Sequence, residues 1–139
     1  SGRSRRIYII SAQEDQNSIG TRANRNPRKR VFMMTFYKLE IFIPKTHFAQ
    51  LQTALQSVDA GHIGNYDSCI SYSKVIGTWR PLDNANPYMG RRGEITQQPE
   101  LKVEVRILSD NLEKTITAIK AIHPYETPVI NIISLLNQE

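Results

Sequence analysis

Two short runs gather the side chains that could carry chemistry. In His123-Pro124-Tyr125-Glu126 an imidazole, a phenol and a carboxylate fall within four residues, on a turn that proline stiffens. The run Gly61-His62-Ile63-Gly64-Asn65-Tyr66 sets a second imidazole between glycines, which free the backbone for positive φ and close approach. Cys69 follows, the one cysteine of the chain. Imidazole, thiolate and carboxylate are donors that zinc accepts, so His62, His123 and Glu126 are candidate ligands for a divalent metal. Glu126 beside His123 could also act as an acid–base pair. Neither run needs such a role. Gly61 can close a helix, His123 can favour a helix C-terminus electrostatically, and Tyr125 can simply pack.

The elements that must position these residues come in two similar halves. Tyr37, Leu39, Ile41 and Ile43 alternate with polar neighbours, the period of a half-buried strand. Pro44 stops the strand and Thr46 is a reasonable N-cap for a helix bearing Phe48, Leu51, Leu55 and Val58 on one face. The Ala60-Gly61 pair would end that helix. The pattern returns with Leu101, Val103, Val105 and Ile107, then Ser109 as a cap, then Leu112, Ile116, Ile119 and Ile122 on a second helix ended by Pro124. Residues 68–75, 77–82 and 127–136 read as further strands. A turn-rich stretch follows Leu82, with another short strand near Glu94-Ile95-Thr96.

Strand, helix, strand, insert, strand, helix, strand is the order of an α+β split β-α-β, or ferredoxin-like, fold. It predicts an antiparallel sheet with two helices on one face. The first and third strands are central neighbours, with Lys38 and Glu40 facing Glu104 and Lys102 or Arg106. In this topology the two helices exit at opposite ends of the sheet. A strand of about six residues, at roughly 3.3 Å each, then keeps His62 and His123 about 20 Å apart. They could share an ion only across a subunit boundary. The exit of the second helix shares an end with the long connection at residues 78–93, which brings His123, Tyr125 and Glu126 towards Trp79 and Arg80. Aromatic faces beside arginines suit an anionic or aromatic small ligand.

Charge narrows the classes of partner. The chain carries 18 Lys and Arg against 13 Asp and Glu, for a net +5. Residues 1–32 hold eight of those cations and only two of the acids. The whole basic excess therefore lies in the first 32 residues, and a nucleic-acid reading would rest on that arm alone. Residues 1–33 lack sustained apolar periodicity and read as a non-native or poorly structured extension, with residues 34–139 as the domain. No apolar run reaches the roughly 20 residues that span a bilayer. With neither a signal segment nor a pair of cysteines, the expected location is the cytoplasm.

Nucleophilic chemistry has little to build on. Cys69 is expected inside a strand, buried and inert, and neither a Gly-x-Ser-x-Gly nor a phosphate-loop pattern occurs. The reading is a binding protein and not an enzyme. The closing strand carries Ile130, Ile132, Ile133, Leu135 and Leu136, apolar on both faces. An edge of that kind invites self-association, as a dimer or trimer.

The glycine–histidine run, Cys69, Gly77-Thr78, Asn86-Pro87, Gly90 and the His123-to-Glu126 run together resemble the YqfO-type domain. That domain is inserted in the middle of some bacterial Nif-three-like metal proteins and also occurs as a free-standing small protein. The resemblance covers nearly all of residues 36–136 and implies a fold like those of PII signalling proteins and CutA. It implies no activity, because the dinuclear metal site of the larger proteins lies in flanking domains. It does imply ligand sites in clefts between subunits, for which His62, Asn65, Tyr66, Trp79, Arg80, His123, Tyr125 and Glu126 are the candidates.

Overall fold

The computed structural model describes residues 34–136, so the basic extension lies outside the described residues. Alternating side chains set the frame. Strand β1 (Phe36–Ile43) turns Leu39, Ile41 and Ile43 inward, and β3 (Thr96–Leu108) does the same with Leu101, Val103, Val105 and Ile107. The two run antiparallel at the centre of a four-stranded sheet ordered β2-β3-β1-β4, with β2 (Ile70–Trp79) and β4 (Ile130–Leu135) at its edges.

Helices α1 (Phe48–Ser57) and α2 (Leu112–Ile122) cover one face. Leu51 and Leu55 from α1 meet Leu112, Ile116 and Ile119 from α2 above the strands, forming one core. Each such side chain contributes about 1.5–3 kcal/mol by leaving water. Thr115, fully buried on α2, is satisfied by donating to the Asn111 carbonyl at 2.6 Å. No described helix is long and apolar enough to cross a membrane.

Local details depart from expectation for identifiable reasons. Each helix starts with a 3₁₀ turn, Lys45–His47 and Ser109–Asn111, and neither Thr46 nor Ser109 caps it. The Thr46 hydroxyl bonds His47 Nδ1, and Ser109 bonds Thr35 across the sheet end. Helix α1 closes before the glycine. Asp59 takes the left-handed conformation at φ 57°, Ala60 N–H donates to the Leu55 carbonyl and Asp59 N–H to that of Gln56. This is a Schellman motif, and buried Ala60 and Leu55 supply its apolar contact.

The strands expected at 68–75 and 77–82 are one continuous β2, and residues 94–96 lead directly into β3. The closing strand is shorter than 127–136, and Cys69 lies just before β2, half-buried. Pro99 sits where β3 extends beyond β1 and has only β2 beside it, a place where a missing N–H is tolerated.

On the face without helices, Lys38 stands opposite Arg106, and Glu40 opposite Glu104. The attractive contacts are diagonal or along one strand. Lys38 and Lys102 each reach both Glu40 and Glu104 at 3.4–3.7 Å, closing a ring of alternating charge.

Candidate functional site

The exit of α2 is held to the sheet by an imidazole. His123, only 8% exposed, donates from Nε2 to the Phe42 carbonyl at 2.7 Å and accepts the Tyr125 N–H on Nδ1 at 3.2 Å. The carbonyl can only accept, so the ring is the neutral Nε2–H tautomer. Burial holds its pKa below the ordinary value, although the Phe42 carbonyl pulls the other way. This bend turns Tyr125 back over the sheet.

There the Tyr125 hydroxyl donates to Glu100 Oε2 at 2.8 Å. Burial, and next this bond to a carboxylate, push the phenol's pKa far up, so it stays a donor. Glu100 is itself only 7% exposed, and among the described residues no Lys, Arg or His pairs with it. Its carboxylate lies over Gly77 on β2, where an added Cβ would overlap Oε1. The glycine leaves the room that the carboxylate occupies.

Above Glu100 opens a cleft of about 570 Å³. Trp79 packs on Tyr125 with ring centroids 5.7 Å apart, and Tyr88 meets Tyr125 at 6.0 Å. The loop between β2 and β3 is tied down around them. The Trp79 indole donates to the Met89 carbonyl, the Glu126 carboxylate accepts the Asn86 N–H, and Arg92 Nε donates to the Ala85 carbonyl. Trp79, Arg80, Tyr125 and Glu126 therefore line one cleft, with His123 beneath it. Arg80 and Glu126 are exposed at its rim, and the charge that is buried is Glu100's. Glu100 thus brings a carboxylate to the cleft that Arg80 and the aromatic rings line.

The other three candidates lie at the opposite end. Gly61 N–H donates to the Arg106 carbonyl, whereas His123 joins Phe42, which pairs with Lys102. Ile63 and Tyr66 exchange two backbone hydrogen bonds around Gly64-Asn65. Gly64 is at φ 58°, in a tight two-residue turn of the II′ kind. Asn65 and Tyr66 project from it into solvent. His62, also exposed, bonds Asp59 through Nδ1 and the Gly64 carbonyl through Nε2, each at 2.9 Å. Asp59 first, and then that carbonyl, raise its pKa.

The two histidines should thus titrate on opposite sides of the ordinary value of about 6.5. His123's contribution to stability is present above that pH and is lost as pH falls through its depressed folded value. His62's is fully present below it and is lost as pH rises through its raised value. Proton NMR of the ring Cε1–H signals is expected to show this split, with Asp59→Asn drawing His62 back and leaving His123 unmoved. A shared midpoint would overturn both assignments.

As metal ligands the candidates fit poorly. Both ring nitrogens of His123 and of His62 are engaged, and Glu126 already accepts a backbone N–H. Among the described residues no three His, Cys, Asp or Glu side chains converge as a metal ion requires. Cys69 Sγ reaches only the Asp67 carbonyl, at 3.6 Å. Sequence reasoning missed Glu100, which continues the outward parity of Lys102 and Glu104, as well as the part that Gly77 plays in seating it.

The chain is similar to known proteins in sequence and in fold. No family model matches the chain. A GTP cyclohydrolase 1 type 2 homolog of Halalkalibacterium halodurans is 38% identical over 104 residues, 75% of this chain. The match takes in only 28% of that protein's length. Among solved structures, a Bacillus cereus protein related to NIF3 superposes with a TM-score of 0.66 at 31% identity, over 75% of this chain and 26% of that one. The PII-like protein CutA from Nostoc sp. PCC 7120 gives a TM-score of 0.54 at 17% identity, covering 73% and 82%. At that identity the likeness concerns the fold alone.

Proposed function

Starting from the chain's place among the YqfO-type domains of Nif-three-related proteins, with their PII/CutA-like fold, we propose that it is a homo-oligomeric binding or regulatory module. Its ligand site is the cleft above Glu100, completed at a boundary between subunits. One observation carries this reading. A carboxylate without a cationic partner among the described residues is buried under a tyrosine and opens on a cleft of small-molecule size. A carboxylate this enclosed costs free energy unless something pairs with it, and a purely structural loop has no use for one. The activity in the name of the longer relatives belongs to proteins of which this chain spans about a quarter.

Self-association is supported by the sheet's edges. On β4 and just before it, Ile133 is 39% and Val129 52% exposed, and Ile76 on β2 is 72% exposed. Edges with apolar side chains seek a partner. Light scattering at micromolar concentration is expected to give a dimer or trimer, and Ile133→Asp to shift it towards monomer. A clean monomer for the parent chain would overturn the oligomeric half of the proposal. The alternative, a metal site shared by His62, His123 and Glu126 of adjoining subunits, would have to break the hydrogen bonds that now occupy all three.

A further inference from the structure

Resting on that reading, we infer that the cleft takes a free organic cation, an ammonium or amidinium group joined to an apolar body, with the charged nitrogen set on Glu100 between aromatic rings. Three observations point the same way. Glu100 is 93% removed from solvent by its 7% exposure, yet uses one oxygen on Tyr125 and has no partner for the other among the described residues. An N–H cation supplies both the missing donor and the missing charge, and such charge-assisted bonds are the strong ones. An anion would be repelled there, and a neutral apolar group would leave the carboxylate unsatisfied.

The walls agree with the floor. The Trp79 N–H is spent on the Met89 carbonyl, and the Tyr125 hydroxyl on Glu100, so neither is free to donate to an anion. What the two rings, with Tyr88, offer a guest is π surface. Aromatic faces attract cations and do not attract anions. Arg80 at the rim opposes a cation, but it is exposed, and Glu126 stands on the same rim. Solvent screens that pair far more than it screens the buried carboxylate.

Trp79 is the only tryptophan of the chain, so its indole N–H gives a single resonance at the wall of the cleft. Three probes of one shape separate the possibilities: benzylammonium, benzyl alcohol and benzoate. On the full chain, benzylammonium is expected to shift that resonance saturably, with a Kd about tenfold or more below that of benzyl alcohol, and benzoate to be weaker still. Glu100→Gln keeps an acceptor for Tyr125 and should erase the preference, leaving the cation and the alcohol equal. Should that variant lose its fold, as judged from the rest of its spectrum, the ranking of the probes on the parent chain decides alone. If the alcohol or benzoate binds as tightly as the cation, or if the preference survives Glu100→Gln, the inference is overturned while the cleft remains a ligand site. If none of the three moves the resonance, the proposed site itself falls with it.

Discussion

Replacing Gly61 with alanine is expected to destabilise the domain by about 3 kcal/mol, read as a lower urea midpoint with an unchanged slope. Two effects add. Gly61 holds φ at +80°, where a side chain costs roughly 1–2 kcal/mol. Its Cβ would also lie 2.7 Å from the Cys69 carbonyl oxygen and 3.0 Å from the Cys69 nitrogen. These are backbone atoms that cannot rotate aside, and forcing them apart costs typically about 1–3 kcal/mol. Gly61 is bonded on both sides, donating to the Arg106 carbonyl and accepting from Cys69 N–H, so the end of α1, β3 and the start of β2 would all have to give. Gly64→Ala provides the contrast. Its φ is +58° but nothing lies within 4 Å of the added carbon, so only the backbone term of about 1 kcal/mol applies. Equal losses for the two variants would show that crowding against Cys69 contributes nothing.

His123→Ala is expected to cost about 2–4 kcal/mol, lowering Tm by roughly 10–25 °C for a domain of this size. It empties a buried position and removes the partners of the Phe42 carbonyl and the Tyr125 N–H together. A buried polar group left unpaired loses roughly 1–3 kcal/mol. His123→Phe restores the volume without the hydrogen bonds and should recover only the cavity part of the loss. Because His123 shapes the turn that places Tyr125 on Glu100, either substitution should also disturb the Trp79 resonance. Full recovery of stability in the phenylalanine variant would mean that packing alone fixes this turn.

Both motifs that look most chemical in the sequence are therefore chiefly structural where their first residues are concerned. The strand and helix periodicities were legible because each depends on neighbours three or four residues away, or two. The topology followed from their order, and with it the placing of the two imidazoles at opposite ends of the sheet. What escaped depended on contacts distant in sequence. Glu100 reads as one more outward acid on a strand, because nothing near it announces Tyr125, 25 residues further on. Gly77 suggests a break between two strands, yet β2 runs straight through it, since the space it leaves is filled from β3. Asp59 could take the left-handed position that Gly61 seemed to claim, because Asp tolerates that conformation. The glycine was needed two residues later, against Cys69. Alternation along the strands suggests directly facing charge pairs, whereas the register places like charges opposite, sets Arg106 against Lys38 and lets long side chains reach diagonally.

That ring of Lys38, Glu40, Lys102 and Glu104 bears on how the domain can drift over generations. Inverting the sign of any one member turns two attractions into two repulsions, whereas exchanging the signs of all four restores every contact. Each contact is weak because the side chains are partly solvated, so an intermediate is tolerable but not neutral. The four positions are thus coupled as a set: reversing a neighbour as well mends one contact and breaks another, and only the reversal of all four recovers the ring.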